Sequence, residues 1–413
     1  FRPLDPSDPD SRQEPISVKK LLKGDGSWQT TKTLLGWVIN SVESTLQLPP
    51  RRLLRLITIL DELPRSKTRI ATRRWQQIVG ELRSMVLALP GLRGLFSLFQ
   101  ETLRHETKRR VRLTPHMHDF LDDLRWLVRD LHARPTRLRE IIDTAPGAIG
   151  ASDAAASGMG GVLFIPARDG TITPLLWRSP FPRVIQKDLV STANPTGTTT
   201  NSDLELAGTI AQHDVLVQHV DCRERTICTL TDNTPALAWQ SKGSTTTRGP
   251  PAYLLRLQAI HQRHYRYLPR LAHIPGDANV MADDCSRLWG LSDSELLTHF
   301  RHHYPQTEPW QLCPLRPAMA SSLISALRRQ RPAPASLLAT VIGAIKPGTF
   351  GPASADPSAW IPRCETSQTR CTSFRSSPPA SATDGSLQVV SPSSMARFLP
   401  RFATLARRSP IWG

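Results

Sequence analysis

Four acidic residues stand out in the 413-residue chain, each in a different local setting. They lie in GASDAAASGMGGVLF (150–164), TNSDLELAG (200–208), LTDNTPALAW (230–239) and HIPGDANVMADDCSR (273–287). Asp153 and Asp232 each fall at the end of a short apolar run, Glu205 lies in the first turn of a helix-like stretch, and Asp283 opens another. Carboxylates delivered from two strand ends and two helices can converge on one point. Four of them cannot stay ionised together in an apolar fold unless a cation neutralises them. Hard oxygen donors select magnesium or manganese, and a pair of such ions is a common device for phosphodiester hydrolysis. The plainer alternative, three turn formers and one helix-surface glutamate, needs four coincidences with matching flanks.

The elements that would hold these residues follow from the pattern around them. Short apolar runs at 147–152, 160–165 and 174–178 are broken by Gly, Pro and Asp. A helix is predicted near 202–218, a strand at TICTLT (226–231), a helix from about 233, another near 252–266, then the strand LAHIP and a short helix. This succession predicts a mixed α/β sheet. Upstream, residues 66–140 read as helices, with an apolar stripe of Trp75, Ile78, Val79, Leu82, Met85, Val86 and Leu89 and a second from Leu95 to Leu103. Thr114-Pro115 is an N-cap followed by Pro at the first helical position. Leu34, Leu35, Trp37, Val38 and Ile39 are expected to form a buried strand. Residues 296–330 read as a helical extension. The stretch 331–413 is rich in Pro, Ser, Ala and Arg without periodicity and reads as a disordered linker.

The formal charge of +17 and pI near 10.4 point to a polyanionic partner, because Lys and Arg gain affinity by releasing condensed counterions. Residues 51–140 hold twenty Lys and Arg against ten Asp and Glu, including Arg73, Arg74, Lys108, Arg109 and Arg110. These five are candidates for contact with a nucleic-acid backbone. The six cysteines form no CxxC pair and no zinc-ligand spacing, which suggests reduced thiols and an intracellular, cytoplasmic or nuclear, setting. No apolar run approaches the roughly 20 residues that cross a bilayer, so no membrane association is expected.

The four acidic segments resemble the ribonuclease H domain of a retroelement reverse transcriptase. SDAAASGMGGVL is similar to the family's first strand and hairpin, TNSDLELAG to the Thr-Asn…Glu-Leu start of its first helix, and TDNTPAL to its Thr-Asp step. HIPGDANVMADDCSR resembles the closing Ile-Pro-Gly…Asn…Ala-Asp…Ser-Arg. The resemblance implies Asp153, Glu205, Asp232 and Asp283 as ligands of two Mg2+ (or Mn2+) ions, with RNA–DNA hybrid as substrate and DNA and RNA as partners. Asn201 and Asn279 would be polar contacts to the nucleic acid, and Gly158, Gly160 and Gly161 would let the backbone approach it. Asp283 is preferred to Asp284 because the family's Asp directly follows Ala. Where cellular members carry a mobile His, this chain has Asp277, and His273 precedes the motif.

The segment LLGWVIN…LQLPPRR resembles the end of a reverse-transcriptase palm leading into the thumb. The implied organisation is a flexible entry (1–20), palm end (21–64), helical thumb/connection (65–140), ribonuclease H-like mixed five-stranded sheet with helices (141–295), helical extension (296–330) and disordered tail (331–413). The order resembles that of a DIRS-like retrotransposon, and the start FRPLDP suggests a piece of a longer polyprotein. The polymerase Asp-Asp turn is absent from these residues. Three activities follow: hybrid ribonuclease, non-catalytic nucleic-acid-binding module of a decayed element, or a nuclease of the same fold that cuts DNA.

Overall fold

The computed structural model describes residue 27 and residues 29–89, 91–103, 109–144, 146–167, 169–245 and 249–329. The expected flexible entry, Lys108 and the expected disordered tail lie outside the described residues.

The first unit begins with strands β1 (Thr31–Leu34), β2 (Trp37–Asn40) and β3 (Thr45–Gln47), followed by helix α1 (Pro50–Asp61). β1 and β2 pair through a tight hairpin in which Leu35 and Gly36 take φ of 51° and 75°. Two left-handed residues in succession match the right-handed twist of the strands. That geometry corrects one expectation: Trp37 is buried, but Leu34 and Leu35 sit at the exposed tip, Leu35 at 83%. Helix α2 (Thr72–Arg83), α3 (Arg93–Glu101) and α4 (Pro115–Ala133) carry the expected apolar stripes. Trp75 meets Phe99 edge to face at 5.5 Å, and Phe99 meets Phe120 likewise at 6.3 Å. Each such fully buried side chain contributes roughly 1.5–3 kcal/mol. The Thr114 hydroxyl accepts from the Met117 amide, which caps α4.

The region 66–140 is not purely helical. Strands β4 (Arg69–Ala71) and β5 (Arg110–Arg112) form an antiparallel ribbon, and β6 (Thr136–Arg137) closes a four-stranded sheet in the order β1-β2-β3-β6. The strands were missed because three-residue runs of alternating Arg and apolar residue are too short for a period-2 signal.

The second unit is a six-stranded mixed sheet, β11-β10-β7-β8-β9-β12. Its strands are β7 (Pro146–Ala154), β8 (Gly158–Pro166), β9 (Ile172–Pro180), β10 (Thr226–Thr231), β11 (Leu268–His273) and the short β12 (Gln311–Leu312). β7 pairs antiparallel with β8 and parallel with β10, so β7, β10 and β11 point their C-terminal ends the same way. The fold is the expected α/β mixed sheet of five strands, extended by a sixth. Its helices are α5 (Arg183–Asp188), α6 (Asn201–His219), α7 (Thr234–Lys242), α8 (Pro250–Tyr265), α9 (Val280–Arg287), α10 (Asp293–His303) and α11 (Pro317–Leu327). Alternation along β7 divides the core. Ala148 and Ala154 pack with α6, α8 and α11, whereas Ala151 packs with Met281, Ala282 and Cys285 of α9.

Charges join the two units. Arg256 on α8 and Asp123 on α4, both buried, pair at 2.8 Å, and Arg263 reaches Asp130 at 2.6 Å. Such pairs fix geometry more than they add stability, but removing one partner leaves an uncompensated buried charge. No helix among the described residues is long and apolar enough to cross a membrane.

Candidate active site

The C-terminal ends of the parallel strands are where open α/β sheets place ligands. Asp153 lies one residue before the end of β7, on the face that carries Ala151 and looks toward α9. Asp232 follows the last residue of β10. Glu205 comes from the second turn of α6, not the first turn expected, because the helix begins at Asn201 and its first-turn acid is Asp203. That helix starts in a capping box of Thr200 and Asp203. Ligand oxygens of Asp153, Glu205 and Asp232 all lie within 4.8 Å of one another. The glycine of HIPG serves the same point: a Cβ on Gly276 would come within 3.1 Å of the Asp232 carboxylate.

Two of these carboxylates, Asp153 and Glu205, are pushed toward the protonated form. Burial is the largest influence on Asp153 and raises its pKa, opposed by a hydrogen bond from the Ser286 hydroxyl. Asp283 and Asp232 raise it further, and Arg287 lowers it. Glu205, 3% exposed, is pushed up to about 9 by burial first and then by Asp153 and Asp232. The Ala154 amide donates to Glu205, but its Oε2 is buried with no hydrogen-bond partner. An orphaned buried oxygen among converging carboxylates is a donor set for a hard divalent cation.

Asp283 sits apart from this triad. It is close enough to act electrostatically on Asp153, yet its side chain pairs with Arg287 one turn along α9, and it does not join the 4.8 Å group. The neighbouring Asp284 turns away: its Oδ2 accepts from His299 Nε2 and from the Tyr304 hydroxyl, each at 2.8 Å. Of the two neighbours, Asp283 is the one that acts on Asp153, whereas Asp284 is held against α10.

Other sequence candidates separate in space. Asn201 is exposed at the start of α6. Asn279 is not a surface residue: it is 2% exposed, and its amide donates to the Ser152 carbonyl at 3.2 Å, tying the start of α9 to β7. Gly160 serves helix docking, not an approaching strand, because a Cβ there would strike Cys285 of α9 at 2.5 Å. Gly158 likewise faces Trp289, and Gly161 faces Gln212 and Trp177. Asn233 caps α7, accepting from the Ala236 amide at 3.0 Å. Of the basic candidates, Arg73, Arg109 and Arg110 are exposed, whereas Arg74 is held by Glu62 at 3.0 Å. Sequence reasoning missed Ser286 and Arg287 as parts of the site. Their signal was present in the Ser-Arg that closes the last motif.

Neither a protein-family model nor a curated protein sequence matches the chain. Solved structures similar to it include the foamy viral protease-reverse transcriptase dRH in complex with ds DNA, at 10% identity and TM-score 0.25 over 60% of this chain and 38% of that one. The foamy viral protease-reverse transcriptase in complex with RNA/DNA hybrid is similar at 10% identity and TM-score 0.24, over 60% of this chain and 30% of that one. RNase H1 from the halophilic archaeon Halobacterium salinarum NRC-1 is similar at 17% identity and TM-score 0.23, over 33% of this chain and 91% of that one. The chain thus spans less than half the length of the foamy viral proteins it is similar to.

Proposed function

We propose that this chain is the thumb/connection and ribonuclease H portion of a retroelement reverse transcriptase, and that it hydrolyses the RNA strand of RNA–DNA hybrids. The observation that carries this reading is the convergence of Asp153, Glu205 and Asp232 at the C-terminal edge of a mixed sheet, with Asp283 alongside. Asp153, Glu205, Asp232 and Asp283 would hold two Mg2+ (or Mn2+) ions. When bound, such ions activate a water and neutralise the charge that builds on phosphorus.

The chain's own groups set up that chemistry. Ser286 fixes one oxygen of Asp153 by hydrogen bonding, and an oxygen of Asp153 lies within 4.8 Å of those of Glu205 and Asp232. Glu205 holds a proton in the absence of a cation, and that proton must leave when the carboxylate becomes a ligand. Arg287 supplies a positive charge beside the cluster, where it interacts with Asp283, Asp153 and Glu205. The Asp284–His299–Tyr304 contacts anchor α9 to α10. The proposed domain boundaries, retroelement polyprotein origin and DIRS-like affiliation rest on the sequence motifs. A substrate panel of RNA–DNA hybrid, duplex RNA and duplex DNA tests the reading. Magnesium-dependent cleavage of the RNA strand of the hybrid is expected, and cleavage confined to duplex DNA would replace it with the DNA-cutting alternative.

A further inference from the structure

The ribbon β4–β5 breaks a rule of strand pairing. Arg69 lies directly opposite Arg112, and Ala71 opposite Arg110. The Leu113 amide donates to the Thr68 carbonyl and the Thr72 amide to the Arg109 carbonyl, which makes 68/113 and 72/109 hydrogen-bonded pairs. Arg69 and Arg112 consequently form a non-hydrogen-bonded pair, the kind in which Cα atoms approach to about 4.5 Å and side chains are closest. Like charges placed there are destabilising. Ile70 and Val111 are buried beneath, so register cannot slip to separate the arginines without exposing both.

Among the described residues no ion pair offsets this repulsion. Arg69, Arg110 and Arg112 project from the exposed face, Arg109 and Arg73 flank it, and all five are exposed. None is in an ion pair among the described residues, although Arg55, Arg65 and Arg74 of the same unit each hold a carboxylate. A local cost that no ion pair among the described residues offsets points to an external anion. Residues two apart on a strand are separated by about 6.6–6.8 Å, so Arg110 and Arg112 present a row of cations, and Arg69 widens it.

We infer that the outward face of this ribbon, through Arg69, Arg110 and Arg112, is a phosphate-backbone clamp for nucleic acid. Guanidinium forks suit phosphate oxygens bidentately, and successive phosphates along one strand offer the repeating anion that a row of cations requires. The contact is to backbone and carries no sequence information. Choice of the hybrid as ligand rests on the function proposed above; the clamp itself does not depend on the carboxylates.

The test is binding of the full chain to a labelled RNA–DNA hybrid in EDTA, so that nothing is cleaved, as a function of salt. The double variant Arg69→Gln/Arg112→Gln should flatten the slope of log affinity against log salt by about 1.4–1.8, two contacts at about 0.7–0.9 each. Arg110→Gln, whose partner across the ribbon is Ala71, should flatten it by about 0.7–0.9. Removing the like-charge pair should leave the melting midpoint unchanged or higher, whereas a structural role would lower it. Arg69→Lys/Arg112→Lys should keep most of the slope. A control pair, Arg301→Gln/Arg328→Gln, removes equal charge from exposed positions elsewhere and should leave the slope in place. The inference is overturned by an unchanged slope in the ribbon variants, by an equal fall in the control pair, or by loss of binding to phosphatidylserine vesicles with hybrid binding intact. A chain that shows the expected slopes yet cleaves no hybrid with magnesium would refute the nuclease assignment and leave the clamp standing.

Discussion

Replacing Glu205 by Gln should stabilise the metal-free protein, an unusual result for a buried residue at a candidate catalytic site. The ordinary carboxyl value is 4.5, and in the folded chain Glu205 is pushed up to about 9. The sign follows from which state binds the proton: between these values the unfolded chain is ionised while the folded chain keeps its proton. The stability this group contributes is therefore fully present below about 4.5 and is lost progressively as pH rises toward about 9. At pH 7.5 the separation from the unfolded value is three units, an upper bound of about 4 kcal/mol at 1.36 kcal/mol per unit. The buried carboxylates titrate together, so about half of that is the expected net effect. Gln cannot ionise, and its amide nitrogen would replace the unpartnered Oε2 with a donor facing Asp153 and Asp232. Thermal melts in EDTA should show wild type losing stability from pH 5 to 9. Glu205→Gln should melt about 4–8 °C higher at pH 7.5, at about 2–4 °C per kcal/mol. A wild-type midpoint that does not fall over this range, or a Gln variant that melts lower at pH 7.5, would refute the reasoning.

Three further outcomes follow from the same geometry. Adding Mg2+ at pH 7.5 should raise the wild-type melting midpoint by ligand linkage, and it should raise that of Glu205→Gln much less, as differential scanning calorimetry would read. Asp283→Asn should reduce hybrid cleavage at least tenfold, whereas Asp284→Asn, which loosens the His299 and Tyr304 contacts, should lower stability by about 1 kcal/mol and leave the cleavage rate nearly intact. Arg287 lowers the pKa of both Asp153 and Glu205, so Arg287→Ala should shift the pH dependence of Mn2+ binding toward higher pH in isothermal calorimetry.

Elements with a long or doubly constrained pattern were legible in the sequence. TICTLT became β10 at its expected bounds, and the Thr114-Pro115 cap opens α4, because burial on both faces and cap chemistry are local signals. The three converging carboxylates were equally readable, since each ends or starts an element whose type its neighbours determine. What escaped was tertiary. The ribbon pairs residues about forty positions apart, and no local window contains both of its strands. The exposed tip of the first hairpin depends on a turn with two left-handed residues, one of them Leu35, a residue type that does not announce such a turn. Asn279 and the glycines of the β7–β8 hairpin read as contacts to nucleic acid because they are small or polar. Their burial against Ser152 and Cys285 is set by where α9 docks.

The central claim is that Asp153, Glu205 and Asp232 bind the divalent cations that drive hydrolysis of the hybrid's RNA strand. It is tested most directly by cleavage and binding of an RNA–DNA hybrid by the full chain and by Asp153→Asn, side by side in Mg2+. Asn keeps the shape of Asp153 and accepts from Ser286, but removes the charge that a shared ligand supplies. The account predicts loss of cleavage by more than about a hundredfold, equivalent to roughly 3 kcal/mol of transition-state stabilisation, with hybrid affinity in EDTA unchanged. Cleavage by Asp153→Asn within tenfold of the parent would contradict it.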